Sequence, residues 1–447
     1  MVKVITYGTF DLLHDGHIRL LQRARALGDW LIVGVTADGY DQVRGKINVQ
    51  QNLMERLEAV RATGLADEII VEEYEGQKID DICRMGIDIF TVGSDWEGQF
   101  DYLNAYCRVV YLPRTEGVSS SELRAQKHAI RIGLVGESVI LNKFAAESAY
   151  ANGAVLCGIC TQDESQLCEK LRALPCVTRD YQTLLSGVDA VYVASHPSRH
   201  YEQCKAALES GKHVLCESPI AMSQAQCSQL FDLAKEKGLV LADAVKTAYS
   251  TAYARLLLMV KSGHIGEVVS VDATATSLRK VDLHDPEALS LTWNSLCAWG
   301  PTALLPVFQL LGTECCDRRI LSRVADEEQM FDLFTKIDFT YPRAAASIKV
   351  GKGVKSEGEL IISGTKGYAY VPAPWWKTDY FELRYEDAAD NKRYFYQLDG
   401  EGIRYEIVAF LKAIETGRST GYIARDVSEA IAGVMEAFHT HKDFVRI

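Results

Sequence analysis

The chain has 447 residues, 48% hydrophobic and 24% charged, with a formal net charge of −12. That length exceeds what one hydrophobic core organises, and the composition excludes disorder, so two or three folded domains are expected. The acidic balance excludes broad attraction to nucleic acid or to an anionic membrane, no apolar run reaches spanning length, and the first residues lack a signal-peptide pattern, so a cytoplasmic protein is expected whose phosphorylated ligands are held by local sites.

From the N-terminus, VKVITYG reads as a strand, followed by a helix over about 17–27, the strand WLIVGVT, a helix near 53–63 and the strand EIIV. A helix over 78–85, the strands DIFTVG and RVVYLP, and a further helix opened by the polar turn RTEGVSS complete an α/β unit with a parallel sheet over 1–128. A fresh strand, AIRIGLVG, then restarts the βα alternation through AVLCGICT, DAVYVAS, KHVLCES and GLVLADA, which predicts a second Rossmann-type unit over 129–245. Longer strands such as VVSVDATATSL and FDLFTKIDFT, with a last helix ending near His439, predict an α+β domain over 246–447 on a mostly antiparallel open sheet. The 12 cysteines lie in apolar stretches, Cys204, Cys216, Cys227, Cys297, Cys315 and Cys316 among them, and read as reduced core thiols. Cys157 and Cys160 form a CxxC, but within a strand residues three apart face opposite sides, which argues against a metal or redox pair.

The chemistry concentrates in GTFDLLHDGH, which leaves the first strand and enters the first helix. Gly8 and Thr9 let the backbone approach a phosphate, and the helix N-terminus offers free N–H groups with partial positive charge. His14 and His17, with Gly16 between them, fall on one helix face and can donate to the same phosphate oxygens, stabilising charge in phosphoryl-type transfer.

These residues resemble the signature of the HxGH nucleotidyltransferase superfamily, and RTEGVSS is similar to the RTxGxST motif of the cytidylyltransferases, with Ser120 standing where threonine is usual. YGTFDLLHDGHIRLLQRA, VGSDWEGQFDYL and VVYLPRTEGVSS resemble the bacterial glycerol-3-phosphate cytidylyltransferase family across essentially the whole of the first 128 residues. The resemblance implies CMP transfer from CTP to a small phosphorylated alcohol, glycerol 3-phosphate, with Mg²⁺ on the triphosphate. His14, His17, Lys46 and Arg114 would carry catalysis. Gly8, Thr9, Phe10, Asp11, Gly16, Asp95, Arg114, Thr115, Ser119 and Ser120 would hold CTP, and Lys46 and Arg56 the substrate phosphates. Ser94, where that family tends to have an aspartate, and the loop RGKINVQQN depart from its pattern and leave glycerol 2-phosphate or another small phosphate open as acceptor.

DAVYVASHPSRHYEQCKAALESGKHVLCESPIA and LLLMVKSGHIGEVVSVDATAT are similar to the glucose–fructose oxidoreductase family, which implies a Rossmann domain joined to an open-sheet domain and NAD(P) chemistry. Its working residues are replaced here. The G-x-G-x-x-G positions hold Gly136, Ser138 and Leu141; Thr161 stands where a carboxylate usually binds ribose, with Asp163 just beyond. E-K-P reads Glu217, Ser218, Pro219, and Ala298 and Thr302 stand at the later acid–base positions. A dehydrogenase needs such a group, so a scaffold without hydride chemistry is expected. A bifunctional transferase and NAD(P)-dependent oxidoreductase is the alternative, with His196, His200 and His284 as candidate acids and Trp375 and Trp376 as stacking residues; a non-catalytic nucleotide sensor is the third. The resemblances also imply a homo-oligomer, a dimer or larger, and a role in supplying teichoic acid or capsule synthesis.

Overall fold

In the computed structural model, β1 (Lys3–Gly8) has Val4 and Ile5 fully buried, so it lies centrally in a sheet covered on both faces. The structure describes residues 1–37, 49, 51–73, 76–113, 129–151, 153–279, 281–285, 289, 291–396 and 398–447. It divides into two compact units, Met1–Ala129 and Ile130–Ile447.

In the first unit, β1 leads through a loop to α1 (Asp15–Arg25), then β2 (Trp30–Thr36), α2 (Leu53–Ala62), β3 (Glu68–Glu72), α3 (Gln77–Met85), β4 (Ile89–Gly93) and β5 (Arg108–Leu112). The strands pair in parallel in the order β3-β2-β1-β4-β5. Winding therefore reverses between β1 and β4, and the crevice beyond their carboxyl ends is where such sheets bind ligands. That is where Gly8 opens the loop. Helix α2 is started by a capping box: Glu55 N–H donates to Asn52 Oδ1 at 3.0 Å and Asn52 N–H to Glu55 Oε2 at 2.8 Å. The turn RTEGVSS and the helix expected after it lie outside the described residues.

The second unit begins with β6 (Ile130–Val135), α4 (Ile140–Ser148), β7 (Ala154–Cys160), β8 (Cys176–Thr178), β9 (Ala190–Val193), α5 (Pro197–Glu209), β10 (His213–Glu217), α6 (Gln224–Glu236) and β11 (Leu241–Ala244). These strands run in the order β11-β10-β9-β6-β7-β8, with the reversal between β6 and β9. A larger sheet follows, of ten strands among the described residues. It is mixed: β12 (Val268–Leu278) pairs in parallel with Ala345–Gly351 and antiparallel with Leu360–Gly364, and Phe444–Arg446 runs parallel to Asp317–Asp326. Helix α7 (Ser295–Leu311) packs on its face.

The residues read from sequence as two domains, 129–245 and 246–447, form one compact unit, and the last helices account for it. Helix α8 (Ile403–Thr416) inserts Ile403, Ile407, Phe410 and Ala413 into the Rossmann-type core beside Phe144 and Tyr192. Each such burial is worth roughly 1.5–3 kcal/mol for the larger side chains. Arg404 grips Glu147 in two parallel bonds of 2.8 and 3.0 Å, and Ser428 of α9 (Arg425–His439) donates to the buried Asp243 at 2.7 Å. All twelve cysteines are free thiols; Cys204, Cys216, Cys227 and Cys297 are buried as expected, whereas Cys315 is half-buried and Cys316 exposed, at the turn before Asp317–Asp326. No helix among the described residues is long and apolar enough to cross a membrane.

Candidate active site

The loop after β1 is built from backbone conformations that side chains rarely adopt. Phe10 and Leu12 have φ of 53° and 47°, a strain of about 1–3 kcal/mol each that surrounding contacts must hold. Phe10 is buried and lies edge-on to His17, ring centroids 5.5 Å apart. Gly8 accommodates it: a Cβ on Gly8 would lie 3.0 Å from the Phe10 ring.

His14 caps α1. Its Nδ1 accepts the Gly16 N–H at 3.1 Å, so in the neutral ring the proton sits on Nε2, which becomes a donor. The His14 and His17 rings stack with centroids 4.0 Å apart and planes 24° from parallel. Two imidazoles in one stack at a helix N-terminus can direct two donors at a single anion, and the helix dipole adds to them.

Arg56 is fully buried, where the sequence reading has it reaching for a phosphate. Its guanidinium donates to the carbonyls of Thr9 (2.7 Å), Thr36 (2.8 Å) and Gln51 (3.1 Å), tying the ends of β1 and β2 to the start of α2. Asp11, 3% exposed, accepts the Gln51 N–H at 2.9 Å, while Gln51 Oε1 accepts the Leu12 N–H at 2.8 Å. Arg56 and Asp11 thus position the loop, together with Gln51, which no sequence motif marks.

Beneath the same strand ends lies a second group that the sequence reading missed. Lys78 ion-pairs with Glu72, which also accepts from Thr36 Oγ1 at 3.1 Å, and the Lys78 ammonium stands 4.8 Å from the Tyr7 ring centre. The Tyr7 hydroxyl donates to Asp81 at 2.9 Å, and burial, with Asp81, raises its pKa. A charged residue closing an otherwise apolar strand, as in EIIVE, was the available signal. Asp95 falls in the turn Ser94–Trp96 after β4, beside the end of β1, and its side chain lies outside the described residues, as do Lys46, Arg114, Thr115, Ser119 and Ser120.

The second unit offers a comparable switch point with different residues. Gly136 has φ 125°, and a Cβ there would lie 2.6 Å from the backbone of Ala194 and Ser195. The helix that follows has Val139 at its N-cap with no side-chain bond. The Glu137 carboxylate, next after Gly136, is ion-paired with Arg199 and accepts from Gln162 N–H at 3.4 Å. Leu141 is buried core. The Thr161 hydroxyl donates to Asp163 O at 3.0 Å and accepts from Asp163 N–H at 3.2 Å, and the Asp163 carboxylate accepts from Ser165 N–H at 2.8 Å.

Of the three histidines, His200 is buried with its ring nitrogens on the carbonyls of Pro219 (2.8 Å) and Ser195 (2.9 Å), His196 caps α5, and His284 is exposed. Burial pulls His196 and His200 down to about 4. Glu217, Ser218, Ala298 and Thr302 come together on one cavity of about 390 Å³, and Trp376 lines it too. Trp375 is buried packing, its indole N–H on Thr274 O at 3.1 Å. Glu217 accepts the Tyr192 hydroxyl, and burial pushes it up to about 7.

The profile of the cytidylyltransferase-like family matches residues 5–126, and that of an oxidoreductase family with an NAD-binding Rossmann fold matches residues 130–244. Over 126 residues the chain is 46% identical to a glycerol-3-phosphate cytidylyltransferase of Bacillus subtilis, covering 28% of this chain and 97% of that one. Over 130 residues it is 45% identical to the Staphylococcus aureus protein of the same name, covering 28% and 95%. A 3-ketoreductase from Actinomadura kijaniata, solved with NADP and TDP-benzene, superposes with a TM-score of 0.61 at 19% identity, over 72% of this chain and 100% of that chain.

Proposed function

From the premise that the chain belongs to the cytidylyltransferase family through its first unit, we propose that it transfers CMP from CTP to glycerol 3-phosphate, forming CDP-glycerol and pyrophosphate. The observation that carries this reading is the stacked His14–His17 pair at the α1 N-terminus, with His14 Nδ1 already engaged as a cap.

In the proposed reaction a phosphate oxygen of the acceptor attacks the α-phosphorus of CTP, the bond from that phosphorus to the bridging oxygen breaks, and pyrophosphate leaves. The attacking oxygen is already anionic, so no general base is needed, and catalysis reduces to alignment and charge neutralisation. His14 Nε2–H and His17 would donate to triphosphate oxygens as charge shifts toward the leaving group. Arg56, Asp11 and Gln51 hold the loop that presents them. Lys46, Arg114, Thr115, Ser119 and Ser120 are proposed as the remaining contacts. Mg²⁺ would ride on the triphosphate oxygens, its preferred hard donors, and supply charge neutralisation; among the described residues no group of three or more His, Cys, Asp or Glu is gathered to hold it.

The second unit is proposed to do no hydride chemistry. Support comes from Glu137, a carboxylate next after the glycine of the turn that binds a dinucleotide pyrophosphate, from Ser138 in place of glycine, and from Ser218, Ala298 and Thr302, which stand where the oxidoreductase family's acid–base groups would be. The turn keeps one fitting residue, Gly136, and does not otherwise suit NAD(P).

The test is pyrophosphate release from CTP and Mg²⁺ against a panel of small phosphate esters, with product mass. Turnover confined to glycerol 3-phosphate supports the assignment. Turnover with glycerol 2-phosphate or another ester alone rejects the acceptor, and none with any ester rejects the reaction.

A further inference from the structure

Helix α8 carries a carboxyl group into the core of the second unit with nothing there to receive it. Glu406 is 1% exposed and lies at helical spacing with Ile403, Ile407 and Phe410, the residues that fill the Rossmann-type core. Neither of its oxygens has a hydrogen-bond partner among the described residues.

The charged and titratable groups that face it come from the elements packed around α8, and each is already engaged. Glu217 of β10 accepts the Tyr192 hydroxyl of β9, and Asp243 of β11 accepts the Ser428 hydroxyl of α9 at 2.7 Å. The Tyr249 hydroxyl donates to Asp243 O at 2.7 Å, and Glu147 of α4 is paired with Arg404 of α8 itself. The cation that acts on Glu406 is Lys246, just after β11, and its ammonium lies 3.3 Å from Glu401, which Lys143 and Lys377 also hold. Glu217, Asp243 and Glu406 thus gather beside one ammonium that already serves a fourth carboxylate. An ionised carboxylate sealed from water without a donor is too costly to persist, so such a group keeps its proton or leaves the core. Burial first, then Glu217 and Asp243, raise Glu406 well above the usual carboxylate range against the pull of Lys246.

We propose that α8 is a plug held in the Rossmann-type core by one proton: Glu406 is a neutral carboxyl while the helix is docked, and loss of that proton drives the helix out into water. Release solvates the carboxylate and uncovers the core beside Phe144 and Tyr192. In the released helix Glu406 is an ordinary glutamate, ionised above about pH 5. Each opening then gives up one proton, so the opening equilibrium rises about tenfold per pH unit from there up to the docked value of Glu406. Docking is strongest at and below the ordinary carboxylate range and weakens as pH rises. Asp243, pushed up to about 6, and Glu217, pushed up to about 7, add their protons only in the lower part of that window, so the slope above it belongs to Glu406. The device belongs to the second unit and stands apart from the transferase reading of the first.

The experiment is hydrogen exchange of the full-length chain, read by mass spectrometry from about pH 6 to about pH 8.5 and corrected for the intrinsic pH dependence of amide exchange, so that protection reports opening of each element. In the parent, protection of the 403–416 segment is expected to fall about tenfold per pH unit above about pH 7, while β9 and the first unit's β1 stay level. Glu406→Gln, which keeps the shape of the neutral carboxyl, is expected to hold α8 protection level over the same range. Glu415→Gln, on the exposed side of the same helix, is expected to keep the parent's slope. Level α8 protection in the parent, an equal slope in Glu406→Gln, or an equal fall at β9, the mark of unfolding of the whole unit, overturns the proposal. The first and last of these outcomes are read on the parent alone, whatever the folding of the variants.

Discussion

Two switch points, one in each unit, use the same topology to opposite ends. At the carboxyl end of β1 the chain tolerates positive φ at Phe10 and Leu12, caps α1 with His14 and stacks His17 on it, so donors gather at a helix N-terminus. At the carboxyl end of β6 the glycine remains, at Gly136, but Val139 caps nothing and the next residue, Glu137, brings a carboxylate paired to Arg199. A parallel sheet supplies a crevice and a helix dipole in both places. The side chains in the first turn decide whether an anion is welcomed there.

The largest effect expected from breaking this contrast is on the first unit's chemistry. His17→Ala should lower turnover by about 10²–10³-fold, the usual loss for one donor to developing charge, while leaving thermal unfolding of the second unit in place; a loss below tenfold would remove His17 from the site. Arg56→Ala should cost roughly 3 kcal/mol of first-unit stability, because three carbonyls lose their donor, and should lower kcat as the loop loosens. Were Arg56 an open phosphate contact, Arg56→Lys would instead raise KM with stability intact.

Smaller effects sharpen the second half of the comparison. Glu217 sits beside Tyr192, Lys246, Asp243 and Glu406, and its folded-state value of about 7 lies above that of an unfolded carboxylate. The folded chain therefore holds that proton longer, and the stability it contributes falls as pH rises from the ordinary carboxylate range through about 7. Glu217→Gln should remove this slope, gaining about 1–2 kcal/mol on the parent between pH 5 and pH 8 in chemical denaturation; parallel curves for the two proteins would contradict it. Least of all, Glu137→Ala should improve NADH binding by about 1 kcal/mol, a factor of about five, by lifting one like charge from the turn. No change would mean that Ser138 and the closed helix packing, rather than charge, set the barrier.

Much of this was legible in the sequence, for identifiable reasons. Apolar runs bounded by polar turns gave most strands of both parallel sheets and the helices of the first unit within a residue or two, as at α2, read as 53–63 and found as Leu53–Ala62, while the short strand β8 carries too few apolar residues to stand out. The loop Gly8–His17 was legible because its chemistry is contiguous. The loop-tying bonds of Arg56 were not legible, because a helix cation looks the same in sequence whether it faces solvent or backbone carbonyls, and its acceptors at Thr9 and Thr36 are distant in the chain. Lys143, Lys246, Lys377 and Glu401 were invisible for the same reason on a larger scale. The boundary drawn at 245 missed that Ile403, Ile407 and Phe410 would return to fill the Rossmann-type core, since an amphipathic helix does not announce which sheet it covers.

The most direct test of the central claim follows two signals in one reaction containing full-length protein, CTP, Mg²⁺, glycerol 3-phosphate and NADH: pyrophosphate released and nicotinamide absorbance. The account predicts steady pyrophosphate release, abolished in His17→Ala, with absorbance flat throughout. Oxidation of NADH that depends on the acceptor or on the CDP-linked product, or absence of pyrophosphate with every phosphorylated alcohol, would contradict it.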